Sequence, residues 1–199
     1  MFSRVDFDVF LEPTLAGRME KIRTIIDPQF ERLNEFLQPK FEHANVTLYP
    51  HIAKHMRRTI NPPINTWIAF GPEKRGYKKN PHFEVGLWRD RMFVWLALLG
   101  ESKANSQNVD RLQHSQVALL NLSDGFYICQ DHTDRQIELA TAATIDTAID
   151  RYKRVKKDEF LIGQVWHSND IFFQDNTNNQ LKKINAVIGE LLPIYQKWL

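Results

Sequence analysis

The sequence contains a single cysteine, Cys129, among its 199 residues. One cysteine cannot form a disulfide within the chain, which favours a reducing compartment. Long apolar runs are also absent, because the longest spans residues 92–100, whereas a membrane-spanning helix needs about 20 residues. Acidic residues lie in the N-terminal stretch, where a secretory signal would be apolar. We therefore expect a cytoplasmic protein with no membrane partner.

The chain has no internal repeat, no low-complexity tract and no linker rich in glycine and serine. Charged residues make up 25% of the sequence and hydrophobic residues 43%, which is typical of a globular protein and excludes a disordered one. A chain of this length suits one domain better than two. We therefore expect a single domain over residues 1–199.

Net charge is low overall, at +2, but it is unevenly distributed along the chain. Residues 51–91, here called the basic segment, contain nine lysines and arginines against three acidic residues, a net charge of +6. The rest of the chain carries −4. A local excess of positive charge is the usual mark of an anionic partner, so the basic segment is where we look for a binding site.

The spacing of hydrophobic residues predicts several helices and several strands. Apolar residues recur at three- and four-residue steps over 15–37, with a kink or a second helix at Asp27-Pro28, and again over 181–198. Residues 82–88 and 92–99, separated by a polar turn, predict an antiparallel hairpin. Other strands are predicted at 67–70, 126–131 and 160–166, and other helices at 109–120 and 145–156. Helices around a mostly antiparallel sheet make an α+β fold.

Pro50 is placed where it could open a short helix over residues 50–58. In that helix Met56 would face inward. Four polar residues at positions i, i+3, i+4 and i+7 would share the outer face. They are His51, Lys54, His55 and Arg58.

An ordered set of segments, most of them in the basic segment, resembles the YktB-like proteins, a bacterial family of unknown function. The segments are HIAKHMRR (51–58), NPP (61–63), TWIAF (66–70), KRGYKK (74–79), PHF (81–83), GLW (86–88) and DHT (131–133). The resemblance implies a topology similar to that of the catalytic domains of biotin and lipoate protein ligases, a largely antiparallel sheet flanked by helices. It brings no activity, ligand or cofactor, because fold does not transfer function.

Residues 71–80, here called the basic loop, come close to a Walker A phosphate loop. Tyr77 stands where the motif needs lysine, and the segment leads into a strand instead of a helix, so we reject that interpretation. A weaker possibility remains, because a flexible basic loop between strands can clamp phosphate, as in the ligases, where it covers an adenylate. However, the sequence lacks the Lys-Trp-Pro-Asn-like segment that supplies the essential lysine of those ligases.

Metal binding and cysteine chemistry are weaker candidates. His51 and His55 could chelate an ion from one helical face, but Lys54 and Arg58 would repel it, and no metal is predicted. Cys129 is best interpreted as a small core residue. Asp131-His132, just after a predicted strand, forms either an acid/base pair or a capping turn.

Three functions remain open. The leading hypothesis is binding of a phosphorylated or otherwise anionic ligand, a nucleotide or RNA, at a surface of cations and aromatic rings. An enzyme of ligase or transferase type is the second, with His82, Glu84 and His132 as candidate acid/base residues. A docking module for an acidic protein is the third. The predicted ligand-binding residues are His51, Lys54, His55, Arg58, Lys74, Arg75, Tyr77, Lys78 and His82.

Overall fold

A computed structural model of the chain describes residues 1–199. Its seven strands form one antiparallel sheet in the order β1-β2-β3-β4-β7-β5-β6. The strands are β1 (Tyr49–Ile52), β2 (Asn65–Gly71), β3 (His82–Trp88), β4 (Arg91–Leu98), β5 (Tyr127–Cys129), β6 (Glu138–Leu139) and β7 (Phe160–His167). The helices are α1 (Leu15–Lys21), α2 (Asp27–His43), α3 (Gln107–His114), α4 (Gln116–Leu120), α5 (Ala142–Arg154) and α6 (Thr177–Trp198). The predicted α+β class with a largely antiparallel sheet is confirmed.

The two faces of the sheet are different. Because side chains alternate along a strand, Phe83 and Val85 of β3 point to the face that packs on the helices, where the main hydrophobic core lies. Trp88 of β3 and Trp95 of β4 point to the other face and form a smaller apolar cluster there. Gly86 gives the aromatic rings space on this second face, since a Cβ at that position would lie 2.3 Å from Cζ of Phe93.

The predicted hairpin forms as β3 and β4, with Leu87 opposite Met92. At Asp27-Pro28 the structure combines the two alternatives that the sequence left open. A π-helical turn, Ile22–Ile26, connects α1 to α2, and α2 begins at Asp27 with proline in its first turn, where a missing N–H costs nothing. None of the helices is both long enough and apolar enough to cross a membrane.

The predicted helix over residues 50–58 is wrong. Tyr49–Ile52 is the edge strand β1, in which His51 pairs with Ala69, and the ladder continues with an N–H of Ala53 donated to the carbonyl of Trp67. His55 then adopts a left-handed backbone, with φ 50°, which an α-helix cannot contain. Met56, predicted to face inward, is 84% exposed. Pairing with β2 outweighs the local helical pattern because it satisfies the backbone of the edge strand.

Candidate functional site

An open cleft of about 1000 Å³ lies at the β1 edge of the sheet, against its second face. The turn after β1, the basic loop and the segment that follows β5 surround it. Five cationic side chains line the cleft, and Glu101 is the single acidic residue among the lining residues. The cations are Lys54, Arg57, Arg58, Lys74 and Lys78.

Trp67 and Tyr77 form one wall of the cleft. The indole N–H of Trp67 donates a hydrogen bond to the phenol oxygen of Tyr77 across 2.8 Å, which ties the basic loop to β2. The tyrosine lies close to the sheet because Gly71 leaves space for it: a Cβ there would be 2.7 Å from Cβ of Tyr77. Burial, with a smaller contribution from Glu84, raises the pKa of Tyr77, so the phenol stays protonated.

His55 faces the same cleft from the turn after β1. Its Nε2 lies 3.3 Å from the hydroxyl of Thr66, and its ring meets Trp67 edge to face at 5.6 Å. Burial, assisted by the positive charge of Arg58, lowers the pKa of His55 to about 4. At neutral pH the imidazole is therefore uncharged and can act as a hydrogen-bonding group but not as a cation.

His82 and Glu84 form a buried pair under the cleft. Nε2 of His82 lies 3.0 Å from Oε1 of Glu84, and the two residues are 0% and 1% exposed. Nδ1 of His82 donates to the carbonyl of Asn80. Burial alone would raise the pKa of Glu84, but His82, with help from His132 and Lys78, outweighs it and lowers that pKa. The ring of Tyr77, 4.7 Å from that of His82, lies over the pair.

His132 lines the cleft and joins a second buried carboxylate. Its Nδ1 and its backbone N–H both donate to Glu159, the ring nitrogen at 2.8 Å from Oε2. Burial would lower the pKa of His132, but the hydrogen bond to Glu159 and the charges of Glu84 and Glu159 outweigh it, so that pKa is raised. The Glu159 carboxylate therefore stabilises the protonated form of His132, and the charges of the two groups offset each other.

Asp131 forms a turn with Thr133. A turn was one of the two alternatives that the sequence left open for Asp131-His132, the other being an acid/base pair. Its carboxylate accepts from the backbone N–H and the hydroxyl of Thr133, at 2.7 and 2.6 Å, and no helix follows. Asp131, His132 and Glu159 each place one potential metal-ligand atom within 4.8 Å of the others. Because hydrogen bonds to Thr133 and within the His132–Glu159 pair already use these atoms, we assign no metal to the group.

Cys129 is buried on the second face of the sheet. Its thiol donates to the carbonyl of Asp131 at 3.0 Å, and burial raises the pKa of the thiol to about 12. A thiol in this state is a poor nucleophile, because the reactive form is the thiolate.

The cleft brings together most of the predicted ligand-binding residues, although not on a helix. His51, Lys54, His55, Arg58, Lys74, Tyr77 and Lys78 all line it. Arg75 is exposed and does not line the cleft, and His82 is buried beneath it. The sequence interpretation missed Arg57, although this arginine lies in the same basic run as Arg58. It placed Trp67 in a predicted strand and gave it no role in ligand binding.

The fold and the cleft define an α+β protein with a cationic, aromatic-walled cleft at a sheet edge. Residues 2–195 match the family model described as a domain of unknown function, DUF1054, and the chain belongs to this family. The predicted resemblance to the YktB-like proteins is thereby confirmed.

Curated relatives match over almost the whole chain, and each is called a UPF0637 protein. One from Leuconostoc mesenteroides is 40% identical over 200 residues, which cover 99% of both chains. One from Lactiplantibacillus plantarum is 39% identical over 197 residues, 98% of this chain and 94% of the relative. One from Listeria monocytogenes is 35% identical over 196 residues, 98% and 96% of the two chains. These names assign no activity.

Proposed function

We propose that the cleft binds a phosphorylated small molecule with a planar ring, and that a nucleotide is the class of ligand it suits best. One observation carries the proposal: five cations and a single carboxylate line one cleft whose wall is aromatic. A cleft of about 1000 Å³ is at the upper end of the range that small-molecule sites occupy.

The cations of the cleft have no carboxylate partner within the protein. None of Lys54, Arg57, Arg58, Lys74 and Lys78 lies within 4.0 Å of an acidic oxygen. Their charges therefore reinforce one another in the cleft, and an anion that enters it gains from all of them. We assign phosphate contacts to Lys54, Arg58, Lys74 and Lys78, with Arg75 reaching a ligand that extends beyond the cleft.

The planar part of the ligand is assigned to the aromatic wall. Trp67 and Tyr77 are fixed by their mutual hydrogen bond, so stacking on them costs little side-chain entropy. Met56 and Ile64, both exposed, supply apolar contact along the cleft. His55, uncharged at neutral pH, offers a hydrogen bond to the planar ring of the ligand. His82, which cannot reach the cleft, acts by holding Tyr77 in place.

A ligase or transferase activity is the second candidate, and the contact between His82 and Glu84 favours it. Both residues are buried under Tyr77, so a substrate would reach them only after the basic loop moved. His132 is the accessible acid/base candidate, because it lines the cleft. The acid/base role of these residues, the likeness to biotin and lipoate ligases and a cytoplasmic location stay proposals.

Titration calorimetry with ADP, adenosine, inorganic polyphosphate and a short single-stranded RNA tests the proposed function. We expect ADP to bind and adenosine to bind far more weakly, because adenosine lacks the phosphates. The ADP affinity should fall several-fold between roughly 50 and 200 mM salt, as charge contacts are screened. Binding of RNA without binding of ADP would show that the ligand of the cleft is a nucleic acid and not a small molecule. Absence of saturable binding for all four would refute the proposed function.

A further inference from the structure

A second cavity, of about 310 Å³, lies outside the cleft and has a cationic lining of its own. Three of its six lining residues are arginines and none is acidic. It shares Ile64 with the cleft and no other residue. We call it the arginine pocket, and its lining residues are Phe10, Arg18, Ile64, Trp88, Arg89 and Arg135.

Arg18 is the buried member of this pocket, with 9% of its surface exposed. Its Nε and Nη2 donate to the carbonyl of Glu12, and its Nη1 donates to the carbonyl of Pro63 at 2.9 Å. A guanidinium carries five N–H donors, so these bonds leave two of them free. No carboxylate lies within 4.0 Å of it, although buried charges in proteins are normally paired.

The backbone carbonyl of Glu12 accepts from Arg18, but the carboxylate of Glu12 has other hydrogen-bond partners. Its carboxylate accepts from the backbone and the hydroxyl of Thr14, which caps α1, and it lies 3.3 Å from Nζ of Lys21. The local structure at the start of α1 therefore uses the carboxylate that could have neutralised Arg18.

Two exposed arginines add to the charge of the pocket. Arg135 lies 3.7 Å from Asp90, whose carboxylate is already held by Arg91 at 2.8 Å. Arg89 has no carboxylate within 4.0 Å, and Asp8 lines a neighbouring cavity with it. Burial chiefly, and then repulsion from Arg89, lowers the pKa of Arg18 against the opposing charge of Glu12. The pocket thus holds three guanidinium groups, and the one carboxylate within 4.0 Å of any of them is Asp90, which Arg91 shares.

We propose that the arginine pocket is a second anion site, which binds the phosphate group of a phosphomonoester. The free N–H groups of Arg18 would donate to the phosphate from inside the pocket. The guanidinium groups of Arg89 and Arg135 would donate to it from the rim. A phosphate dianion matches this surplus of charge better than a singly charged carboxylate does. Phe10, Ile64 and Trp88 supply an apolar wall for the group that the phosphate esterifies.

The proposal does not rest on the function of the cleft, and the experiment separates the two. In a cleft variant, Lys54, Arg58, Lys74 and Lys78 are each replaced by glutamine, which removes four of the five cations of the cleft and leaves the arginine pocket intact. Calorimetry with phenyl phosphate should still show one saturable site in this variant. Urea unfolding confirms beforehand that the variant folds.

Rim substitutions then identify the site. Adding Arg89→Gln and Arg135→Gln should weaken phenyl phosphate binding about tenfold or more, because two charged hydrogen-bonding groups are lost. Lys153→Gln with Arg154→Gln, at two exposed cations of α5 outside the pocket, is the charge-matched control and should leave the affinity unchanged. If the cleft variant does not fold, the same rim substitutions in the native chain should lower the number of phenyl phosphate molecules bound at saturation by one, whether or not the cleft also binds phosphate.

Three results would overturn the proposal. The first is the absence of saturable phenyl phosphate binding in the folded cleft variant. The second is an affinity unchanged by the rim substitutions. The third is a benzoate affinity equal to that for phenyl phosphate, which would show that the pocket does not select phosphate. Failure of the cleft to bind ADP would change none of these outcomes.

Discussion

Trp67 of β2 donates its indole N–H to the phenol oxygen of Tyr77 in the basic loop, across 2.8 Å. This bond links the sheet to the loop that carries Lys74 and Lys78. The tyrosine in turn covers the buried His82. One polar contact therefore connects the wall of the cleft, the loop that carries two of its cations, and the buried His82–Glu84 pair beneath it.

Substitution Tyr77→Phe tests this link. The indole N–H would lose its partner while the ring remains, so we expect the free energy of unfolding to fall by about 1–2 kcal/mol. Urea denaturation measures it. Tyr127→Phe, on the same face of the sheet, is the control and should have a smaller effect because its hydroxyl has no such bond. A double-mutant cycle with Trp67→Phe that gives no coupling would contradict the link.

Substitution Glu101→Gln tests the electrostatics of the cleft. Glu101 is the single acidic residue that lines it, so neutralising this carboxylate should strengthen ADP binding. We expect a gain of about two- to fivefold, the size of an exposed charge interaction. Glu73→Gln, in the basic loop but outside the lining, changes the net charge equally and serves as the control. An equal gain from both variants would show a general charge effect and no special role for the cleft.

Protonation of His55 should destabilise the fold in acid. The folded-state pKa is about 4, below the value of 6.5 for a free histidine, so folding favours the neutral imidazole. The contribution of the neutral His55 to the free energy of unfolding is fully present above pH 6.5 and is lost as pH falls towards 4. His55→Asn removes the titration and tolerates the left-handed backbone.

The measurement is the free energy of unfolding in urea at pH 7, 5.5 and 4.5 for both proteins. We expect the native chain to lose more stability over this range than His55→Asn does. Parallel curves for the two proteins would show that His55 does not carry the pH dependence.

Cys129 should be unreactive in the folded protein. Burial and a thiol pKa of about 12 leave almost no thiolate at pH 8. Ellman's reagent should therefore label the native chain at least about a hundredfold more slowly than the chain in denaturant. Rapid stoichiometric labelling of native protein would contradict the buried position of the thiol.

Much of the fold follows from patterns in the sequence. The steps from Leu181 to Trp198 predict α6, and the alternation of residues 82–88 followed by an apolar run predicts the hairpin of β3 and β4. Residues 50–58 show where such reasoning fails. A short segment fits helix and strand equally well, and pairing of His51 with Ala69, a long-range contact, decides between them.

The candidate sites were predictable to different degrees. Counting charges along the chain finds most of the cations of the cleft, since they lie within 51–91. The role of Trp67 depends on how far the basic loop folds back over β2, and local spacing does not contain that information. The arginine pocket was out of reach for the same reason, because Arg18, Trp88 and Arg135 meet only in the folded chain.

The central claim is that the cations of the cleft bind a phosphorylated ligand. ADP titration into the native chain and into the double variant Lys74→Gln, Lys78→Gln, at one fixed low salt concentration, tests it most directly. Lys182→Gln with Lys197→Gln in α6 is the charge-matched control. We predict an affinity about tenfold or more weaker for the cleft pair and nearly unchanged for the control. Equal ADP affinities in the native chain and the cleft pair would contradict the account.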